Sequence, residues 1–143
     1  MRSDALVSVA VATYNGERYL PQQLDSIYRQ TYRNIEVVAT DDCSQDKTVQ
    51  ILERYRKKYG LKYFVNDENL GYAKNFERAA SLCSGDYIAF CDQDDIFFSD
   101  KIETLVREIG EYSLIYSDAT LIDVDGAEFA PSYMRYVNFP MLT

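Results

Sequence analysis

Asp92-Gln93-Asp94-Asp95 crowds three carboxylates at the end of an apolar run, Tyr87-Ile88-Ala89-Phe90-Cys91. Like charges packed against buried chain are unfavourable unless water, protons or a cation relieve them. A hard divalent cation suits the spacing. Mg2+ and Mn2+ prefer oxygen and commonly take one or two carboxylates plus substrate phosphates, so the D-x-D pair Asp92 and Asp94 can hold the ion and leave sites for a diphosphate. The plain alternative is a solvated loop easing a helix N-terminus. The position of the tetrad after a buried strand, facing a second acidic pair, Asp41-Asp42, favours the cation. An EF-hand is excluded, because Ile96 and Phe97 stand where that loop needs a ligand and a glycine. Asn69-Leu70-Gly71-Tyr72-Ala73-Lys74-Asn75 joins a glycine turn to a helix start, where the helix N-terminus and Lys74 offer positive potential to phosphate or to an acidic base-binding group.

The elements that must position these residues alternate along the chain. Leu6 to Ala12 reads as a strand covered on both faces, broken by Tyr14-Asn15-Gly16. Pro21 opens a helix carrying Leu20, Leu24, Ile27 and Tyr28 at helical spacing until Gln30. Ile35 to Thr40 is a strand ending in Asp41-Asp42. Asp46 then caps a helix that turns Val49, Leu52, Tyr55 and Tyr59 inward and stops at Gly60. A short strand at Lys62 to Val65 precedes a helix with Phe76, Ala79, Ala80 and Cys83 on one face, and Gly85 leads into the strand before the acidic cluster. Ser99 or Asp100 caps a helix with Ile102, Leu105, Val106 and Ile109 on one stripe, Ser113 to Ile122 reads as a strand, and Asp125-Gly126 as a turn. The stretch 132–139 stays unassigned. This alternation predicts an α/β fold, a mostly parallel sheet with helices on both faces, with ligands beyond the carboxyl ends of the strands. Thr13-Tyr14-Asn15, Asp41-Asp42 and Asp92 through Asp95 should therefore converge on one crevice.

Composition narrows the chemistry. With 143 residues, 47% of them apolar, the chain fits one domain with a real core. A net charge of -8 provides no footprint for nucleic acid. No histidine is present, so acid-base or metal work falls to carboxylates. Cys43, Cys83 and Cys91 form no CxxC pair, which argues against zinc and a disulfide framework; a cytoplasmic setting fits, with Cys83 and Cys91 as core residues. The apolar run near the N-terminus is too short to span a bilayer, so membrane contact would be peripheral.

A nicotinamide-dependent oxidoreductase of Rossmann type is the natural rival, because Asp41-Asp42 ends the second strand where such enzymes hold a ribose hydroxyl. Yet Thr13-Tyr14-Asn15-Gly16-Glu17-Arg18 has one glycine where the fingerprint needs three, and no P-loop occurs.

The pieces together resemble the family 2 glycosyltransferases of the GT-A fold. Ala12-Thr13-Tyr14-Asn15 is similar to the family's P-T-Y-N, and Gln30-Thr31-Tyr32 to its Q-T-Y. Asp41-Asp42-Cys43-Ser44-Gln45-Asp46-Lys47-Thr48 resembles D-D-G-S-x-D-x-T, and Asn69-Leu70-Gly71 resembles N-x-G. Gly85 through Asp95 resembles G-D-Y-I-x-x-L-D-x-D-D. Ala12 replaces a proline, Cys43 a glycine, and Lys74 stands where many relatives have arginine, giving a point charge rather than a fork.

The resemblance implies a glycosyltransferase using a dTDP- or UDP-sugar donor and a saccharide or lipid-linked saccharide acceptor, inverting the anomeric centre, in bacterial surface polysaccharide synthesis. It implies that Thr13 and Asp41 contact the base, that Asp92 and Asp94 serve ribose, diphosphate and Mn2+ or Mg2+ with Asp94 as the direct ligand, and that Tyr14, Asn15, Asp42, Asn69, Gly71 and Lys74 complete the donor pocket. Asp92–Phe97 and Asn69–Phe76 most resemble rhamnosyltransferase-like members. The family's base and acceptor site usually follow the matched segment, so residues 1–143 are expected to be the donor-binding portion, with the base beyond 143 and neither Asp118 nor Asp123 assigned to that role. A work site at the inner face of the membrane, a homodimer, and a non-catalytic nucleotide-binding module are all compatible with this pattern.

Overall fold

The computed structural model describes residues 4–139, which divide into two compact units between Arg107 and Glu108. The first unit runs β1 (Val7–Thr13), α1 (Leu20–Tyr28), β2 (Ile35–Asp41), α2 (Thr48–Tyr59), β3 (Lys62–Val65), α3 (Tyr72–Ser81), β4 (Tyr87–Asp92) and α4 (Lys101–Glu108). Its strands make one parallel sheet in the order β3-β2-β1-β4. All seven residues of β1 are buried, as an unalternating apolar strand covered on both faces requires. Val7, Val9 and Val11 join Leu20, Leu24 and Ile27 of α1 and Ile51, Leu52 and Tyr55 of α2 in the main core. On the opposite face α3 packs over β1 and β2, burying Asn75 and Ala79. The expected α/β architecture, with helices on both faces, is what forms.

Two helix ends follow local rules. Pro21 sits in the first turn of α1, where its missing N–H is not needed. Gly60 closes α2 in the left-handed region at φ +78, a conformation that glycine adopts without a side-chain clash. The inward face of α2 differs from the expected one. Ile51, Leu52 and Tyr55 are buried, while Val49 is half-buried and Tyr59 is exposed, stacking on Tyr28 with ring centroids 4.2 Å apart. Alternating aromatic and basic residues blur the period there, and Tyr59 finds an aromatic partner at the rim instead of the core.

The second unit holds a two-strand antiparallel hairpin, β5 (Leu121–Ile122) with β6 (Glu128–Ala130), and a short helix α5 (Tyr133–Tyr136). The strand expected over Ser113 to Ile122 shrinks to its last two residues. A strand needs partners for its backbone groups, and β6 pairs only with Leu121 and Ile122. The Asp125-Gly126 turn forms as expected, with Gly126 at φ +84 and its amide donating to the Asp123 carbonyl at 3.0 Å. Asp118 accepts from the Met134 amide at 3.0 Å and so holds the start of α5. Among the described residues no helix is long and apolar enough to cross a membrane.

Gly85, just ahead of β4, lies close against the backbone at the start of β1. Its amide donates to Ser8 Oγ at 2.8 Å, and a methyl group there would lie 2.6 Å from the Leu6 carbonyl oxygen and 2.8 Å from the Ser8 nitrogen. Backbone cannot step aside as a side chain can. Gly85→Ala is therefore expected to destabilise the fold by roughly 1–3 kcal/mol, read as a lower urea midpoint; an unchanged midpoint would show that the edge strand is not held as described.

Candidate functional site

Leaving β1, the chain moves outward through β2 and β3 and then returns past β1 to β4. Beyond the carboxyl ends of the strands, at such a reversal, open α/β sheets hold their ligands. The three expected loops do meet on this side: Thr13 lies beside Asp41 and Ala12 beside Asp92 in the parallel registers. The acidic pair of β2 and the acidic cluster of β4 flank β1, so two strand spacings, about 9–10 Å, separate their backbones.

Most polar side chains of the crevice are engaged with one another. Asp41, fully buried, accepts from Thr13 Oγ1 at 2.8 Å, Ser44 Oγ at 2.6 Å and the Ser44 amide at 2.9 Å. Asp42, 2% exposed, accepts from Asn66 Nδ2 and the Leu70 amide at 2.7 Å and from the Gly71 amide at 2.9 Å. Burial alone would raise the Asp42 carboxyl, but the bonds from Leu70, Asn66 and Gly71 outweigh it and hold the group below its ordinary range. The amides that lead into α3 are thus spent on a carboxylate of the chain itself. Asn69 adds a bond from Nδ2 to the Asp42 carbonyl at 3.2 Å.

Asn15 and residues without an assigned site role do much of the positioning. Asn75, buried in α3, donates to the Thr40 carbonyl at 3.0 Å and the Thr13 carbonyl at 3.3 Å, finishing the ends of β1 and β2. Asn15, at φ +48, donates its amide to Ser44 Oγ at 2.8 Å and accepts the Gln45 amide on Oδ1 at 2.8 Å. Asp46 and Glu17 exchange bonds across the same seam, each accepting a backbone amide of the other loop at 3.0 Å. Asp46 also takes the Thr48 amide at 2.9 Å, but it is not the cap that was expected: Lys47 holds the N-cap position of α2 without a side-chain cap bond, and Asp46 closes the turn one residue earlier. Cys43 occupies the left-handed region at φ +64, where a glycine would sit without strain, and its thiol donates to the Asn66 carbonyl at 3.1 Å. Buried Gln30 anchors the far side, donating to the Phe98 carbonyl at 2.7 Å and accepting the Ile102 amide at 3.0 Å. A buried amide such as Asn75 or Gln30 carries no period in the sequence, so motif likeness can place it in a segment without disclosing which backbone groups it holds.

The β4 cluster is different. Asp94 is exposed and makes no hydrogen bond or ion pair with another described residue, and Lys74 is equally exposed and unengaged. Asp92 is half-buried, with a single long bond from Tyr72 Oη at 3.3 Å. Burial raises its carboxyl, the Tyr72 bond opposes this, and the charge of Asp94 adds to the rise. Such a pair gains from a nearby cation. Among the described residues no group of three or more histidine, cysteine or acidic side chains could hold a metal by itself. Asp92 and Asp94 alone could supply at most part of a divalent ion's oxygen shell. A hollow of about 260 Å³ opens beside it, lined by Tyr72, Phe76, Phe90, Cys91, Asp92 and Asp95.

Asp42→Asn leaves the volume but turns one acceptor into a donor against the Asn66, Leu70 and Gly71 groups. The expected loss is on the order of 2 kcal/mol at neutral pH, measured by denaturation. Because the folded carboxyl is depressed, its contribution is complete above the ordinary carboxylate range and fades as pH falls below about 4. The gap between wild type and variant should narrow on acidification. A gap that widens there would contradict this role.

The family model described as glycosyl transferase family 2 matches residues 8–141. Glycosyltransferase GlyA of Streptococcus pneumoniae is 37% identical over 112 residues, covering 78% of this chain and 16% of GlyA. Poly(ribitol-phosphate) beta-N-acetylglucosaminyltransferase TarS of Staphylococcus aureus is 36% identical over 122 residues, 83% of this chain and 21% of TarS. The chain thus spans about a fifth or less of the length of these two relatives. Crystallised TarS in complex with UDP superposes at a TM-score of 0.70 with 33% identity, over 82% of this chain and 34% of that one. The mannosyltransferase PcManGT of Pyrobaculum calidifontis, in complex with GDP-Man and Mn2+, gives 0.70 with 26% identity over 77% of this chain and 34% of that one. The fold is GT-A, and the chain belongs to glycosyl transferase family 2.

Proposed function

We propose that this chain binds the nucleotide-diphosphate sugar donor of a glycosyltransferase, with Asp92 and Asp94 serving a divalent cation and the diphosphate. The observation that carries the reading is the division of carboxylates at the strand ends: Asp41 and Asp42 are consumed by internal bonds, while Asp94 is open and Asp92 nearly so. In this reading Asp94 is the direct ligand to Mn2+ or Mg2+. When bound, the ion supplies neutralisation of the charge that builds on a departing diphosphate.

The rest of the pocket follows from position. Thr13 and Asp41, buried and bonded to each other, form its floor, and they reach a base only by an exchange of those bonds. Tyr14 and Asn15 line one wall. Asn69 and Gly71, held by Asp42, line the other, and Lys74 brings a positive charge to the diphosphate. A uridine nucleotide is supported by the likeness to TarS, solved with UDP and with UDP-GlcNAc. The rhamnosyltransferase-like assignment rests on Asp92–Phe97 and Asn69–Phe76 alone. Transfer to a saccharide or lipid-linked acceptor in bacterial surface polysaccharide synthesis is the corresponding activity of the whole protein.

Calorimetry tests the reading directly. Uridine diphosphate should bind at least about tenfold more tightly with Mn2+ than with a chelator, a difference of roughly 1.4 kcal/mol. Asp94→Asn should remove that difference while leaving the thermal midpoint nearly unchanged, because the side chain supports nothing else. Binding that ignores the metal, or a variant that keeps its full metal dependence, would sink the proposal.

A further inference from the structure

We infer that Gln93, the spacer between the two aspartates of the cluster, is a positioning residue that clamps the β1–α1 loop to the metal-binding loop and so couples cation binding to nucleotide binding. The inference rests on the donor-site reading above and assigns a role to a residue which that reading leaves idle. Gln93 Oε1 accepts the Tyr14 amide at 2.9 Å, and Gln93 Nε2 donates to the Tyr14 carbonyl at 2.9 Å. One side-chain amide thus serves both backbone groups of one residue. The parallel pairing of β1 with β4 ends at Ala12 and Asp92, and β4 then turns, with the Asp95 amide donating to the Asp92 carbonyl at 3.2 Å. The Gln93 amide replaces the next rungs of the ladder, which the turning backbone no longer offers.

Both bonds require a primary amide of this length. Glutamate has no donor for the Tyr14 carbonyl, and asparagine is one methylene shorter. The clamp also explains a glycine. A methyl group on Gly16 would come 2.7 Å from Gln93 Cδ and closer still to Oε1. Gly16 is buried, and its own amide is held by Thr48 Oγ1 at 2.8 Å, so the close approach is fixed from both sides. Tyr14 and Asn15 belong to the nucleotide side of the crevice and Asp92 and Asp94 to the cation side. The seam of Asn15, Ser44, Asp46 and Glu17 ties the first loop to β2. Gln93 ties it to β4, across the reversal point of the sheet.

Two independent substitutions break the clamp: Gln93→Met keeps the length without the polar atoms, and Gly16→Ala expels the amide without altering it. Each should raise the exchange rate of the Tyr14 amide, measured by nuclear magnetic resonance, by at least about tenfold, the loss of one or two modest hydrogen bonds. Each should weaken uridine diphosphate binding in Mn2+ by about the same factor, with metal-free affinity little changed. The double variant should be no worse than either single one, because both remove the same contact. The inference is overturned if the Tyr14 amide is unprotected in the wild type, if the two losses add, or if affinity falls equally with and without metal. A wild-type chain that fails to bind uridine diphosphate would overturn the donor-site reading and the coupling together, whereas the clamp itself would still be decided by Tyr14 exchange.

Discussion

Where parallel strands stop side by side, backbone pairing runs on for one step, from the Asp42 amide to the Thr13 carbonyl and from the Asn66 amide to the Asp41 carbonyl, and side chains must hold the loops beyond it, because an unpaired buried backbone group costs about as much as a lost hydrogen bond. That constraint governs this molecule. Asn75 serves the Thr40 carbonyl and adds a second, longer bond to the Thr13 carbonyl, Gln93 holds both backbone groups of Tyr14, and Asp42 collects the amides of Leu70 and Gly71 ahead of α3. Every one of these closures is made by a side chain from a different element. The strand ends can therefore lie open to a ligand without being loose, which regular backbone pairing alone could not achieve at a reversal point.

The same closures explain what the sequence could and could not disclose. Largely apolar runs such as Val7 to Ala12 favour the inside of a parallel sheet, although the apolar run of β4 leaves Ile88 and Phe90 exposed, and the convergence of the loops at Thr13, Asp41 and Asp92 follows from that placement. Patterning failed where a helix face mixes tyrosine with arginine and lysine, as in α2, and where a stretch such as 113–120 has no strand to pair with. The site was legible as a set of loops but not as a division of labour. Asp41, Asp42, Asp92 and Asp94 are one residue type at similar strand ends, and only three-dimensional neighbours separate the carboxylates that brace the loops from those that remain available. Gln93 was hidden for a related reason: between two aspartates, an amide reads as a spacer.

Electrostatics then limits what the available carboxylates can do. Two unit charges of the same sign 4 Å apart repel by roughly 4 kcal/mol at an effective dielectric constant near 20. Asp92, Asp94 and Asp95 would therefore oppose a diphosphate brought against them, in a chain whose net charge is already -8. The amides of Leu70 and Gly71 are already committed to Asp42; Lys74 is exposed on α3, and the charge of Lys101 opposes the rise that burial and the neighbouring acids impose on the Asp95 carboxyl. Two ammoniums do not balance three carboxylates and a diphosphate. On the donor-site reading, the acidic cluster and a divalent cation are thus a single functional unit, and the cation offsets most of the repulsion met by the phosphates. A brace such as Gln93 becomes important in that arrangement, because an attraction mediated by an ion between two loops is only as specific as the distance at which the loops are held.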